Sequence, residues 1–166
     1  MFLTIEQFKP VWKDETKATS KLLDKLTDDS LTMPEHSDLR NLGRVAWHIV
    51  TTYPEMCSRF GLPVDVPTEK EPVPKSAAEI KAAYKKGADS VLDSVSQWTD
   101  ADLKKEDDMY GQIWPRGKSL WAFLMHEIHH RGQMTILMRL AGLPVTGVYG
   151  PAREEWSQYG METPQL

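Results

Sequence analysis

Cysteine is almost absent: Cys57 is the only one in 166 residues, which excludes an internal disulfide and any cysteine-based zinc ribbon. Long apolar runs are absent too. The longest, Leu120 to Met125, is far short of the ~20 residues a bilayer-spanning helix needs. There is no excess of positive charge, since 20 Lys and Arg stand against 24 Asp and Glu for a formal charge of −4. Without a basic stripe to neutralise phosphates, nucleic acid is not an expected partner. The opening residues, Met1-Phe2-Leu3-Thr4-Ile5-Glu6, lack the basic region of a secretory signal. These absences describe a soluble, mildly acidic, cytoplasmic protein. One domain over residues 1–166 is the default at this length, and a chain of roughly 150 residues buries about 70% of the surface its unfolded form exposes. Such a chain can build a hydrophobic core without covalent staples.

Helical periodicity is what the sequence does have. Thr4 with Gln7 forms a capping box, and Phe8, Trp12, Thr19, Leu22, Leu23 and Leu26 follow at three- and four-residue spacing until Asp28-Asp29-Ser30 ends the pattern. Pro10 is tolerable only in the first turns, so this helix is either bent or starts near Lys9. A second helix is expected from Ser37 or Asp38, with Leu39, Leu42, Ala46, Ile49, Tyr53, Met56 and Phe60 on one stripe and Pro54 as a kink. A third opens on a second capping box, Ser76 with Glu79, and lines up Ile80, Tyr84, Val91, Leu92, Val95 and Trp98. A fourth runs from Ser119 to Ala141, closed by Gly142 and Pro144. A short fifth is expected to start with Pro151 and to carry Trp156 on its inner side. The expected fold class is all-α: a four-helix bundle plus a short C-terminal helix.

Two connections are long. Gly61 to Lys75 contains Pro63, Pro67, Pro72 and Pro74 and reads as a stiff, extended crossover, which permits helices two and three to run parallel. Asp100 to Lys118 carries turn material at Tyr110-Gly111 and Trp114-Pro115-Arg116-Gly117, and its charged run Lys104-Lys105-Glu106-Asp107-Asp108 reads as a solvated loop.

Three of the five histidines crowd into His126-Glu127-Ile128-His129-His130. On a helix His126 and His130 are one turn apart and can present two imidazoles to one ion. Their face continues through Phe123, Gln133 and Leu137 and is expected to point inward. A third imidazole must come from another helix, and His48, beside the apolar stripe of helix two, is the natural candidate. Three neutral imidazoles suit Zn, Ni, Cu or Fe and leave coordination positions open for water or substrate. His129 lies about 100° around the helix from His126 and is expected to pack, or to support a ligand. Gln133, one turn beyond His130, is placed to hold an imidazole or a water. Gly132 suggests a close approach by another helix or a partner's backbone, Met125, Met134, Met138 and Trp121 suggest core or dimer interface, and His36 lies in a loop without an evident role.

The same residues match H-E-x-x-H as His126-Glu127-x-x-His130, the zinc metalloprotease motif in which the glutamate activates water. Against that reading, no strand pattern is evident to form a substrate-binding sheet edge.

Leu42-Gly43-x-Val45-Ala46-Trp47-His48-Ile49, followed by His126-Glu127-x-His129-His130-Arg131-Gly132-Gln133, resembles the DinB-like family of damage-inducible and YfiT-like metalloenzymes, which shares only a label with a DNA polymerase. The resemblance covers essentially the whole chain. It implies a four-helix bundle with a long crossover between helices two and three, commonly a homodimer, with a divalent metal on His48, His126 and His130. The wider superfamily includes bacillithiol- and mycothiol-dependent S-transferases, a maleylpyruvate isomerase and hydrolases. The function expected is therefore that of a metal-dependent transferase or hydrolase acting on a small molecule. Zn or Ni is the foremost metal, Fe or Mn next, with a low-molecular-weight thiol as a second cofactor. The alternative is a non-enzymatic metal-binding or stress-response dimer.

Overall fold

The computed structural model describes residues 1–35 and 38–165. Four α-helices carry the fold: α1 Ile5–Leu23, α2 Leu42–Arg59, α3 Ala77–Ser96 and α4 Arg116–Leu140. Between α3 and α4 lies a small antiparallel hairpin, β1 Glu106–Met109 with β2 Gln112–Pro115. Single 3-10 segments occupy Asp29–Thr32, Asp102–Lys104 and Arg153–Tyr159. Among the described residues no helix is long and apolar enough to cross a membrane.

The helix starts show which local signals decide. Thr4 accepts from the Gln7 amide at 3.1 Å and Gln7 returns a bond to the Thr4 amide at 3.3 Å, so the capping box forms and α1 begins there, running through Pro10 rather than starting at Lys9. The helix ends at Leu23, and Leu26 is buried beyond it. For α2 the cap is Asn41, whose side chain accepts from the Arg44 amide at 2.8 Å. The expected start at Asp38 is wrong for that reason: Asp38 and Leu39 lie outside the helix, with Leu39 exposed, while Ser37 and His36 lie outside the described residues. The helix continues past Pro54 to Arg59. The capping box expected at Ser76 does not form. Instead Asp28, just before the 3-10 segment Asp29–Thr32, accepts from the Ala77 amide at 2.8 Å, so α3 is capped by a residue remote in sequence.

Side-chain contacts fix the direction of each helix. Phe60 meets Trp98 and Tyr53 meets Tyr84, so α2 and α3 run parallel, as the crossover allows. Along that crossover Pro63 accepts from Ser94, Asp65 pairs with Lys86, and Glu71 accepts from Trp47. It thus runs back from the end of α3 to its start. Trp12 donates to the Ala88 carbonyl and Ile5 to Asp100, setting α1 antiparallel to α3. Phe2 donates to the Gly117 carbonyl and Trp12 stacks on Phe123, setting α4 parallel to α1. Trp12, Tyr53 and Phe123, all essentially inaccessible, form the centre of the core with ring centroids 5.0–5.7 Å apart.

The hairpin departs from the expectation of an irregular connection. Tyr110 (φ 59°) and Gly111 (φ 82°) both take left-handed conformations, the geometry of a type I′ turn that matches the twist of two short strands. Glu106, Asp107 and Asp108, expected as solvated loop, are strand residues, and Asp108 accepts from the Gly111 amide at 2.8 Å. Trp114 and Pro115 belong to β2 and Arg116-Gly117 to α4, which therefore starts before the expected Ser119. Arg116 grips Asp107 with two nitrogens at 2.8 and 3.2 Å, tying the hairpin to α4. At the C-terminus the fifth helix is a 3-10 segment opening at Arg153, with Trp156 half-buried rather than in the core. The expected tight packing at Gly132 is also not seen within the chain: a Cβ there meets nothing within 4 Å, whereas one at Gly87 would lie 2.8 Å from the Tyr53 ring.

Candidate metal centre

His48 sits near the middle of α2, and His126 and His130 sit one turn apart on α4. Because these helices are antiparallel neighbours, the three imidazoles converge. Ring centroids lie 5.4 Å (His48–His126), 4.5 Å (His48–His130) and 4.4 Å (His126–His130) apart, and one nitrogen from each lies within 4.8 Å of the others. Among the described residues no other group of histidine, cysteine and carboxylate side chains is arranged this way.

Hydrogen bonds orient two of the rings. Glu69, from the crossover, is 3.0 Å from His48 Nδ1, and Gln133 Oε1 is 2.8 Å from His130 Nδ1. Both oxygens are acceptors, so each Nδ1 carries the proton and each Nε2 is left as a free donor of electrons. The His130 and His126 Nε2 atoms then face each other at 3.2 Å. Gln133 in turn donates to His129 Nε2 at 3.0 Å, so exposed His129 supports Gln133, and its ring meets that of His130 edge-on at 4.9 Å. Burial, followed by the neighbouring His130 and His48, lowers the His126 pKa to about 4. Burial likewise lowers His48 and His130, and the charge of Arg40 adds to both. All three rings are neutral at pH 7, the state in which imidazole binds metal. The three-histidine cluster can therefore hold a metal ion.

The expectation that both α4 histidines point inward holds for His130, which is buried together with Phe123 and Leu137, but not for His126. The inward arc runs through Phe123, Glu127, Arg131, Met134 and Met138, while His126 is half-buried and Gln133 exposed. The two histidines lie at its edge, between α2 and solvent. Trp121 is largely exposed and Met125 half-buried.

That inward arc carries a buried polar centre that the sequence analysis misses. Glu127 accepts from Thr19 of α1 at 2.7 Å, Tyr53 of α2 at 2.6 Å and Tyr84 of α3 at 2.6 Å, so one α4 carboxylate bonds all three other helices. Burial raises its pKa, while the three hydroxyls and Arg131 pull the other way. The short distances are those of O–H···O⁻ bonds. Arg131 itself holds Glu15 at 2.6 Å and Tyr149 at 2.7 Å. Glu127 is thus engaged in the core, about 60–100° around the helix from the two histidines, and cannot play the part of the glutamate in a H-E-x-x-H protease, even though strands do exist. A glutamate four residues from Phe123 and four from Arg131, in phase with Met134, is the signal that marks it. Cys57 is fully buried, and burial together with Glu55 pushes its thiol well above the usual range, so it is a packing group.

Comparison with known proteins shows the family and the fold. YrdA, an uncharacterized protein of Bacillus subtilis (strain 168), is 42% identical over 167 aligned positions that cover all of both chains. The crystal structure of a DinB-like protein from Bacillus cereus ATCC 10987 superposes with a TM-score of 0.85 at 45% identity, covering 90% of this chain and 100% of that one. A DinB-like protein of B. subtilis, YjoA, shares the fold at a TM-score of 0.69 and 17% identity, over 88% and 99% of the two chains. The DinB family model matches residues 1–164, and the chain belongs to that family.

Proposed function

We propose that this protein is a metal-dependent enzyme, a transferase of the thiol S-transferase type or a hydrolase, acting on a small molecule at a divalent ion held by His48, His126 and His130. The observation that carries the reading is the convergence of three neutral imidazoles within 4.8 Å, two of them with Nδ1 already committed to Glu69 and Gln133. Three protein ligands rather than four are what an open, reactive site requires. A divalent ion there supplies Lewis acidity, lowering the pKa of a thiol or water so that a nucleophile exists near neutral pH. The protein's own contribution is orientation. Glu69 holds the His48 ring, Gln133 holds the His130 ring and is itself held by His129, and burial keeps the three imidazoles unprotonated. Zn or Ni is the expected ion, with Fe or Mn next, and the working form is a cytoplasmic homodimer with neither nucleic acid nor membrane as partner.

Elemental analysis of untagged protein purified without chelator tests this directly. Near-stoichiometric metal is expected in the wild type and none in His48→Ala/His126→Ala/His130→Ala, whose helical circular dichroism stays intact because the core does not depend on the ion. Less than a tenth of an equivalent after reconstitution with Zn or Ni would refute it. A fourth protein ligand in a metal-loaded crystal would instead favour a non-enzymatic metal-binding role.

A further inference from the structure

The histidine cluster opens onto a cleft of about 400 Å³. One wall is a single stripe of α4, from His130 through Gln133, Ile136 and Leu137 to Leu140, a span of ~15 Å at 1.5 Å per residue. The opposite wall brings Leu39, Arg40 and Val45 from the approach to α2 and its first turn. Ile136 and Leu140 are 63% and 57% exposed. They are large apolar groups that the core does not use, lined up in one direction away from the site. Among the described residues Arg40 is the only cation lining the cleft, and none of the ion pairs there uses it. It lines the same cleft as His130 and Gln133. Asp38, the one carboxylate among the described lining residues, has an interaction of its own.

We propose that this cleft is the substrate pocket of the three-histidine site and takes a small carboxylate with an apolar body, the head between Arg40 and His130 and the body along Val45, Ile136, Leu137 and Leu140. The proposal rests on the metal-site reading given above. Its chemistry follows from the lining. A guanidinium matches a carboxylate with paired N–H donors, and an aliphatic or aryl body removes the exposed apolar stripe from water. The volume lies within the range of small-molecule pockets. A larger cleft of about 800 Å³ shares Leu39 and Arg40 but adds Asp28, Asp29, Arg44 and Lys75, a mixed-charge lining without a histidine, so chemistry rather than size selects the smaller one.

Calorimetric titration of hexanoate, hexan-1-ol and acetate into zinc-loaded protein provides the test. Each buried methylene is worth up to about fourfold in affinity and a charge-assisted bond about tenfold or more. Hexanoate is therefore expected to bind at least about tenfold more tightly than either acetate or hexan-1-ol. Arg40→Gln, on an exposed residue outside the helices, is expected to weaken hexanoate at least about tenfold with zinc stoichiometry unchanged, and Ile136→Glu to weaken it similarly. Hexanoate binding no tighter than acetate, or unaffected by Arg40→Gln in protein carrying its full zinc, would overturn the pocket while leaving the metal site standing. Failure to take up zinc would overturn the metal reading, and Arg40-dependent hexanoate binding in that same zinc-free protein would still support the pocket.

Discussion

Replacing Glu127 with alanine should be among the most damaging single substitutions in this protein. The carboxylate is 2% exposed and accepts three short bonds, one from each of the other helices. Truncation removes all three and leaves the Tyr53 and Tyr84 hydroxyls buried without their acceptor. Removing one partner of a buried charged network costs roughly 3–5 kcal/mol, and two orphaned hydroxyls at ~1–3 kcal/mol each are consistent with that figure. We therefore expect about 4 kcal/mol for Glu127→Ala, and a fall in Tm of roughly 8–16 °C at about 2–4 °C per kcal/mol for a chain of this length. Glu127→Gln keeps the volume and one acceptor oxygen but turns an NH₂ towards a hydroxyl that must reverse its own bond, so about half the loss is expected. Tyr84→Phe, losing one donor of three, should cost about 1–2 kcal/mol. Urea unfolding followed by circular dichroism at pH 7 in excess chelator measures all three without a contribution from bound metal. A loss below about 1 kcal/mol for Glu127→Ala would refute the view that this carboxylate holds the four helices together.

Two glycines should respond in opposite directions. Gly87→Ala puts a Cβ 2.8 Å from the Tyr53 ring and 3.2 Å from Val66, and displacing a tyrosine bonded to Glu127 should cost about 1–3 kcal/mol. Gly132→Ala meets open space in a helix interior and should stabilise by up to about 1 kcal/mol, so chemical unfolding that ranks the two alike would contradict the packing described. The histidine cluster should also make the metal-free protein sensitive to mild acid. Its imidazoles are lowered in the folded state, His126 to about 4, so as pH falls through ~6.5 the unfolded chain takes up protons first. The stabilisation is complete above that pH and is lost progressively towards pH 4. Tm of chelator-treated wild type should therefore fall more steeply between pH 7 and 5 than that of the triple histidine variant, and parallel slopes would count against buried neutral rings.

Most of the helical frame was legible because apolar spacing and local capping carry it. Thr4 with Gln7 worked because both halves of its cap are close in sequence. Ser76 with Glu79 has the same pattern and makes no cap bond, while the adjacent Ala77 amide is satisfied by Asp28 from across the bundle, a partner that no local pattern reveals. The hairpin escaped because its strands, Glu-Asp-Asp-Met and Gln-Ile-Trp-Pro, lack clean alternation and are held by the Tyr110-Gly111 turn and the Arg116–Asp107 pair instead. Its turn dipeptide was visible, but the strands on either side of it were not.

The three-histidine cluster was legible as a set and only partly in its placement, since His130 is buried and His126 is not, and the reason lies in how α4 divides its circumference. At about 100° per residue, His126, His130 and Gln133 fall on one edge of the buried arc, while Glu127, Arg131, Met134 and Met138 fill its centre. A motif that reads as one block therefore holds two separate devices: an inner carboxylate that fastens α1, α2 and α3 to α4, and an outer row of imidazoles that meets only α2. Because the hydrogen bonds that lock the bundle end on Glu127 rather than on a histidine, the ligands can be removed without unlocking the helices. The consecutive positions 126 and 127 should then separate cleanly in experiment: His126→Ala should abolish metal binding with Tm nearly unchanged in chelator, and Glu127→Gln should lower Tm while its metal content stays at the wild-type level. If Glu127→Gln lost metal as completely as His126→Ala, the two devices would be one, and the inner carboxylate would have to be counted as part of the metal site.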